Sequence, residues 1–148
     1  PDKDLAQCVR DDRVVQVARR SKPPIMDASA IRKKFGVMPE YIPDFLALVG
    51  DSADGYPGIS GIGKVGAARL INDYGTIENV PEKVLAARRK EALLFKRLAT
   101  LRLDAKPFAD VDELRWEGPT PSFEGFVTKM GDPKLLARAN KAATPEIL

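Results

Sequence analysis

The stretch over residues 50–71 constrains the fold of this chain most, because it places a glycine-rich turn between two apolar helical patterns. Two carboxylates, Asp51 and Asp54, open the stretch. Beyond the turn, apolar residues recur at helical spacing, which predicts a helix that begins at Lys64 and buries one face. The residues on that face are Ala67, Leu70, Ile71 and Tyr74. The sequence therefore predicts a helix–hairpin–helix with an acidic pair in front of its turn.

The turn has the features of a phosphate-binding site. Gly61 and Gly63 leave backbone N–H groups uncovered where the helix begins, and a helix N-terminus attracts anions. Lys64 adds a cation at the same place. Such a module binds the phosphate backbone of nucleic acid without reading its bases. The alternative is an ordinary corner between two helices, in which glycine only supplies a positive φ.

Composition excludes several classes of protein. The chain has 148 residues, a formal net charge of +3 and no histidine, so histidine-based acid–base chemistry and Ser-His-Asp triads are excluded. A single cysteine, Cys8, excludes an internal disulfide and a cysteine–histidine zinc cluster. No apolar run approaches the roughly 20 residues of a membrane span, and no signal peptide is visible. We therefore expect an intracellular, cytoplasmic protein.

The first half of the chain is predicted to contain two further helices. Asp27 or Ser29 can cap a helix that runs to Phe35, and Gly36 stops it. A second helix, with a proline in its first turn and an apolar stripe, ends at Gly50. The acidic pair therefore follows directly after a buried helix.

The remaining segments are less strongly patterned. We expect one long helix over about residues 81–101, an extended segment over residues 111–116, and two last helices through Phe126 and Leu135. The inward face of the long helix is predicted to consist of Leu94, Leu98 and Leu101. Short strand patterns near the N-terminus cannot form a stable sheet without neighbours. We therefore expect a fragment whose upstream sheet is missing; the alternative is a small edge hairpin packed on helices.

A second acidic pair, Asp2 and Asp4, lies at the N-terminus. On a strand, both carboxylates would point to one face and could meet one cation, whereas the alternative is a solvated turn. Asp51 and Asp54 are equally ambiguous alone, since one can cap the backbone and the other can open a turn. The conjunction of two acidic pairs with the hairpin favours metal ions beside nucleic acid, because Mg²⁺ and Mn²⁺ prefer carboxylate oxygen.

Three runs of residues carry a resemblance to the 5′-nuclease family. This family includes the 5′–3′ exonuclease domain of bacterial DNA polymerase I, stand-alone 5′–3′ exonucleases and flap endonucleases. The runs are D-K-D-L-A-Q at 2–7, F-G-V-M-P-E-Y-I-P-D-F-L-A-L-V-G-D-S-A-D-G-Y-P-G-I-S-G-I-G at 35–63, and L-I-N-D-Y-G-T-I-E-N-V at 70–80. The resemblance covers about residues 2–107 and fades beyond them.

The resemblance implies two sites. Asp2 and Asp4 match the D-x-D metal ligands of the family, and Asp51 and Asp54 match its G-D-x-x-D pair. With further acids from the N-terminal half, these residues would hold two divalent ions, Mg²⁺ or Mn²⁺. The residues matching the hairpin that grips double-stranded DNA are Gly61, Gly63, Lys64, Val65 and Gly66. In some relatives a K⁺ ion binds backbone carbonyls in this hairpin, and Ile62 would supply one.

The implied fold is mainly α, a helical helix–hairpin–helix (SAM-like) subdomain with a short β remnant of an N-terminal α/β PIN-like nuclease sheet. Residues 1–24 would be that remnant, and residues 25–148 the helical DNA-binding subdomain, with its hairpin at about residues 50–75.

The implied function is that of the C-terminal portion of a metal-dependent 5′–3′ exonuclease, or structure-specific 5′-nuclease, acting on duplex DNA ends or flaps in replication or repair. The missing N-terminal nuclease portion would complete the active site. Two alternatives remain open: a non-catalytic helix–hairpin–helix module that binds duplex DNA, and a helical protein-interaction domain.

Overall fold

The computed structural model describes residues 2–11, 13–20, 22 and 24–143, and the chain divides into two compact units, Pro1–Leu103 and Asp104–Leu148. The strands β1 and β2 pair antiparallel in the first unit. The helices and strands are β1 Gln16–Val17, β2 Ile25–Met26, α1 Ala28–Phe35, α2 Ile42–Val49, α3 Lys64–Tyr74, α4 Glu82–Leu85, α5 Arg89–Ala99, α6 Phe123–Met130 and α7 Pro133–Ala143. Short 3₁₀ turns occupy Asp4–Cys8, Pro39–Tyr41, Ile77–Asn79, Ala86–Arg88 and Val111–Leu114.

The capping residues predicted for α1 define its ends. The Asp27 carboxylate accepts a hydrogen bond from the backbone N–H of Ala30 at 2.8 Å. Gly36 ends the helix in the left-handed conformation, with φ of 80°, which glycine adopts without steric cost. Both expectations for this helix are confirmed.

The helix α2 forms the centre of the first unit. All of its residues except Val49 are buried, as expected of a helix that is apolar on every side. It packs against α3 and α5, and Phe45 makes an edge-to-face contact with Phe35, with ring centroids 5.8 Å apart. Because α2 is enclosed, the loop that follows Gly50 starts from a fixed position.

A buried carboxylate joins α2 to its neighbours. Asp44 lies 2.9 Å from the Lys96 ammonium of α5 and accepts a hydrogen bond from the backbone N–H of Ile77 at 2.8 Å. Lys96 also pairs with Glu78 at 2.7 Å. Burying a charge is costly unless it is paired and hydrogen-bonded, and Asp44 has both kinds of partner.

The prediction of one continuous helix over residues 81–101 is wrong. The chain breaks at Ala86, whose φ of 48° and ψ of −133° are not helical, and α5 begins only at Arg89. The face of α5 that packs on α2 is set by the small residues Ala92 and Ala99 and by the inward Lys96. The leucines expected to face inward are partly exposed instead: Leu94, Leu98 and Leu101.

The second unit contains α6 and α7. Val127 of α6 is buried, whereas the predicted extended segment over residues 111–116 contains a 3₁₀ turn. This turn forms because the Asp110 carboxylate accepts a hydrogen bond from the backbone N–H of Asp112 at 2.8 Å. The two last helices occur as predicted, and the extended segment does not.

The fold class is confirmed, because helices dominate the described residues and the only sheet among them has two strands. Among the described helices, none combines the length and the apolar character that a membrane crossing requires. The predicted boundary between residues 24 and 25 separates a remnant of the nuclease sheet from the helical subdomain. The boundary between the two compact units, after Leu103, is a different one. The predicted boundary therefore stays a prediction.

Candidate metal centre and nucleic-acid interface

The loop from Gly50 to Gly58, here called the acid loop, carries Asp51 and Asp54. Asp51 and Tyr56 form an isolated antiparallel bridge, in which Asp51 N–H donates to the Tyr56 carbonyl at 2.8 Å and Tyr56 N–H donates to the Asp51 carbonyl at 3.1 Å. The Asp51 carboxylate also accepts from the backbone N–H of Ala53 at 3.0 Å. These bonds fix both the backbone and the side chain of Asp51.

Two glycines close the acid loop by direct contact of their backbones. A Cβ on Gly50 would lie 2.4 Å from the carbonyl carbon of Pro57, and a Cβ on Gly58 would lie 2.4 Å from the nitrogen of Gly50. Both residues also have positive φ, 89° and 74°. No other residue type fits either position, so the closure of the loop depends on this glycine pair.

The turn that carries Asp4 lies against the same region. The 3₁₀ turn Asp4–Cys8 is anchored by Gln7, whose amide donates to the Ala99 carbonyl at 2.9 Å and accepts from the Leu101 N–H at 3.0 Å. Ala6 of this turn is fully buried. Of the two alternatives for the Asp2–Asp4 pair, the strand does not occur, since Asp4 begins a 3₁₀ turn and Asp2 precedes it.

Three of the four predicted metal ligands converge. One carboxylate oxygen from each of Asp4, Asp51 and Asp54 lies within 4.8 Å of the others. Asp2 does not belong to this group; it is exposed, and its carboxylate accepts from the backbone N–H of Asp4 at 3.2 Å. The structure therefore places Asp2 beside the cluster. We call Asp4, Asp51 and Asp54 the acid cluster.

The electrostatics of the acid cluster fit a divalent cation. Burial, together with the neighbouring carboxylates of Asp54 and Asp2, raises the pKa of Asp4 to about 6. Asp4 Oδ1 is buried and accepts no hydrogen bond from the described residues. Crowded carboxylates disfavour each other's ionisation unless a cation compensates them. Because oxygen is also the donor that Mg²⁺ and Mn²⁺ prefer, this donor set suits such an ion.

Tyr56 adds a buried hydroxyl that the sequence analysis missed. Burial, and then the nearby carboxylates of Asp4 and Asp54, raise the pKa of Tyr56 to about 12. Its ring stacks on Phe95 with centroids 5.6 Å apart, and its hydroxyl has no hydrogen-bond partner among the described residues. The position of Tyr56 in the Gly-Tyr-Pro run did not indicate a role in the site, because an aromatic residue beside a turn is normally part of the core.

Lys3 is the second residue that the sequence analysis missed. Its ammonium lies 2.5 Å from Asp51 Oδ2, and the Asp51 side chain is completely buried. Lys3 stands between Asp2 and Asp4, but nothing in a D-x-D pattern specifies its middle residue.

The acid cluster opens into a cleft of about 600 Å³ that also reaches Lys64, the first residue of α3. Lysines line it together with the acids: Lys3, Lys34 and Lys64. Lys34 lies there because the end of α1 docks on α3, where the Asn72 amide donates to the Gly36 carbonyl at 2.8 Å. The close approach needs Gly36, since a Cβ there would lie 2.9 Å from the Cβ of Ala68. Carboxylates and cations therefore border one cleft.

The predicted DNA-binding residues form the turn before α3 and its first helical turn, here called the hairpin. Gly61 has φ of 83°, Gly63 is the N-cap, and no side chain caps α3. Lys64 begins the helix as predicted, and Val65 is 86% exposed. The first N–H groups of α3 thus receive no side-chain acceptor at the cap.

The glycines of the hairpin differ from those of the acid loop. A Cβ on Gly61 or Gly63 would meet no atom within 4 Å, and one on Gly66 would make only an ordinary contact, 3.8 Å from Ile62 Cγ2. Gly63 has φ of −86°, which any residue adopts. Only Gly61 needs glycine for its backbone, so the fold itself does not explain Gly63 and Gly66.

The predicted K⁺ ligand, Ile62, lies within this turn. Its N–H donates to the Ile59 carbonyl at 2.9 Å. Arg88, at the break before α5, donates to the neighbouring carbonyl of Ser60. A cationic side chain therefore already contacts one hairpin carbonyl, and the role of Ile62 stays a prediction.

Comparison with known proteins identifies the family. The family described as "5'-3' exonuclease, C-terminal SAM fold" matches residues 37–122, which is more than half of the chain and includes both the acid loop and the hairpin. The chain belongs to this family. The predicted resemblance is thereby confirmed, and the SAM fold agrees with the mainly helical structure.

Individual relatives of this 5′–3′ exonuclease family carry consistent names. The chain is 31% identical over 155 residues to DNA polymerase I of Bacillus caldotenax, covering 89% of the chain and 18% of that protein. It is 44% identical over 80 residues to a 5′–3′ exonuclease of Aquifex aeolicus, covering 54% and 27%. It is 38% identical over 103 residues to the flap endonuclease Xni of Cronobacter sakazakii, covering 63% and 41%. The chain thus spans less than half the length of each.

Proposed function

We propose that the complete protein is a metal-dependent 5′-nuclease that hydrolyses phosphodiester bonds near the 5′ end of duplex or flap DNA. The chain described here supplies part of the metal site and a hairpin that binds the duplex. The observation that carries this proposal is the convergence of Asp4, Asp51 and Asp54 in a cleft that also reaches Lys64 of the hairpin.

The acids of the cleft act as ligands in this proposal. Asp4, Asp51 and Asp54 hold Mg²⁺ or Mn²⁺, and Asp2 joins them through its position beside Asp4. Divalent ions in such a site activate water and stabilise the charge on the leaving oxygen. The carboxylates orient the ions and are not themselves nucleophiles. Further acids from an N-terminal nuclease portion complete the set for two ions.

The cations of the cleft and the hairpin hold the DNA backbone. The uncovered N–H groups at the start of α3 and the Lys64 ammonium suit a phosphate, and Lys34 extends the basic lining toward the acid cluster. Gly63 and Gly66 fit this role, because a surface without Cβ atoms lets a phosphate backbone approach closely. We further propose that Ile62 offers its carbonyl to K⁺ in the DNA complex.

A non-catalytic duplex-binding module is the weaker alternative. Such a module needs the hairpin but gives no reason for three carboxylates, that of Asp51 buried, to converge in the same cleft. The names of the relatives, 5′–3′ exonuclease and flap endonuclease, also favour the nuclease.

The test is a paired substitution in the complete protein. Asp54→Asn should lower cleavage of a 5′-flap DNA in Mg²⁺ by about a hundredfold or more, since even outer-shell changes at metal sites cost 10–100-fold. Duplex binding should be retained. Asp73→Asn, which removes the exposed partner of Arg69 on α3, is the control and should cleave normally. Retention of turnover by Asp54→Asn in Mg²⁺ would contradict the ligand assignment.

A further inference from the structure

The ammonium of Lys3 contacts one carboxylate of the acid cluster, that of Asp51. It is 2.5 Å from Asp51 Oδ2, while the Asp51 side chain has no exposed surface and that of Lys3 is 39% exposed. The lysine therefore reaches from the edge of the cleft to a buried carboxylate.

This contact has a clear electrostatic reason. A buried carboxylate is unstable without a compensating charge, and Asp51 lies within a cluster that contains two further carboxylates. The Ala53 N–H donates a hydrogen bond to Asp51 Oδ1, whereas Oδ2 accepts no hydrogen bond from the described residues and only forms the ion pair with Lys3. Among the described residues, the Lys3 ammonium is the ion-pair partner of Asp51 Oδ2.

Asp51 is the most buried residue of the acid cluster, and its Oδ2 is a buried oxygen that no hydrogen bond occupies, so Oδ2 is available to a divalent ion. An ammonium 2.5 Å from Asp51 Oδ2 occupies the space that a metal ion bound to this oxygen needs, so the two cations exclude each other. Lysine can yield this position easily, because it is a point charge on a flexible four-carbon stem and its side chain is partly in solvent.

We propose that Lys3 is a built-in competitor of the divalent ion, and that the Lys3 ammonium and the metal are alternative partners of Asp51. Lys3 stabilises the acid cluster when no ion is bound and swings away when an ion enters. It thereby weakens metal binding at the site. This inference rests on the proposed function, because it takes the acid cluster as the metal site.

The test measures metal affinity and stability on the same variants of this chain. For Lys3→Met, Mn²⁺ titration followed by electron paramagnetic resonance should show binding about five- to tenfold tighter, since the competing charge is gone. Without metal, the same variant should melt about 2–4 °C lower, because Asp51 is left uncompensated. The two changes have opposite signs, which a merely structural lysine would not produce.

Two controls and a second test variant accompany Lys3→Met. Lys3→Arg keeps the charge and should resemble the unchanged chain in both measurements. Lys33→Met removes a charge from the exposed side of α1, outside the lining of the cleft, and should change neither. Lys3→Gln removes the charge with a polar side chain and should bind Mn²⁺ more tightly even if Lys3→Met folds poorly.

The outcomes separate this proposal from the proposed function. If the unchanged chain binds Mn²⁺ in a manner abolished by Asp51→Asn, but Lys3→Met and Lys3→Gln bind no more tightly, the competition by Lys3 is wrong while the metal site stands. If neither the unchanged chain nor the Lys3 variants bind Mn²⁺, the acid cluster of this chain does not hold a divalent ion by itself, and the Lys3 proposal is wrong.

Discussion

The acid loop and the hairpin are both rich in glycine, yet the glycines serve different ends. In the acid loop, Gly50 and Gly58 meet backbone to backbone, and a Cβ on either would lie 2.4 Å from the opposing main chain. In the hairpin, Gly63 and Gly66 leave room for a Cβ. The first pair is required by the fold, whereas the fold does not require the second, for which we propose the close approach of a DNA backbone.

This difference shows how one short stretch combines two tasks. The acid loop must hold charged side chains in place against their repulsion, so its backbone is locked by the glycine contact and by the Asp51–Tyr56 bridge. The hairpin, in the proposed function, presents backbone N–H groups to DNA, and its residues Gly61 and 63–66 are exposed. Substitutions should therefore separate stability from binding.

The largest effect is expected for Gly58→Ala. The new Cβ would clash with Gly50 and Val49, and φ of 74° would be strained, so the free energy of unfolding should fall by about 4 kcal/mol or more. Gly55→Ala is the matched control. Gly55 has φ of 80° but no atom within 4 Å of a Cβ, so only the backbone cost of about 1–2 kcal/mol is expected. Equal costs in urea denaturation would show that the glycine contact does not lock the loop.

The next effect concerns the support beneath the acid loop. Lys96→Met would leave Asp44 buried without its ion pair, and the free energy of unfolding should fall by about 2–3 kcal/mol. This is less than for a fully buried pair, because 21% of the Lys96 side chain is exposed. Lys90→Met, at an exposed position of α5, should change stability little. A comparable loss in both variants would contradict the role assigned to the Asp44–Lys96 pair.

Gly66→Ala should change stability and binding in opposite directions. Alanine in the first turn of α3 should raise the free energy of unfolding by about 0.5–1 kcal/mol. Its methyl group should nevertheless weaken duplex DNA binding about three- to tenfold, as measured by fluorescence anisotropy at fixed salt. Gly125→Ala, another helical glycine with no atom within 4 Å of a Cβ, should leave DNA binding unchanged. Unchanged DNA binding in Gly66→Ala would remove the reason given for this glycine.

The smallest effect is a pH dependence of stability from the ion pairs of Lys96. Partial burial raises the pKa of Glu78, but the Lys96 ammonium, together with hydrogen bonds from the Glu78 backbone and Thr76, outweighs it and lowers the pKa below the ordinary 4.5. Burial likewise lowers the pKa of Lys96, but Asp44 and Glu78 outweigh it and raise the value above 10.5. The contribution of Glu78 is present above pH 4.5 and lost as the pH falls through its lowered pKa. That of Lys96 is complete below pH 10.5 and lost as the pH rises through its raised pKa.

Melting temperatures across pH test this dependence. The melting temperature of the unchanged chain should fall below pH 4.5, and that of Glu78→Gln should fall less. Glu91→Gln, at an exposed position of α5, should show the same fall as the unchanged chain. If the melting temperatures of the unchanged chain and of Glu78→Gln fall equally below pH 4.5, the Glu78–Lys96 ion pair does not contribute to this pH dependence.

Local signals in the sequence predicted much of the fold. Asp27, Gly36, Gly50 and Gly63 mark helix ends, and each lies at the expected end of α1, α2 or α3. The break at Ala86 could not be predicted in this way, because neither glycine nor proline marks it. The inward orientation of Lys96 is likewise invisible locally, since it depends on Asp44, which lies far away in the sequence.

The candidate site was predictable in part. Its carboxylates were found through the D-x-D and G-D-x-x-D patterns, but their convergence depends on the Gln7 anchor and the glycine contact, which are long-range features. Lys3 and Tyr56 were missed because their importance comes from the burial of Asp51 and Asp4 rather than from their own residue types. Sequence patterns therefore identified the candidate metal ligands, whereas the lysine that compensates Asp51 could be identified only from the structure.

The most direct test of the metal site is anomalous scattering from crystals of this chain soaked in Mn²⁺. We expect a manganese ion within bonding distance of carboxylate oxygens of Asp4, Asp51 and Asp54, with the Lys3 ammonium displaced from Asp51 Oδ2. The absence of a peak at the acid cluster, in crystals that bind Mn²⁺ elsewhere, would contradict it.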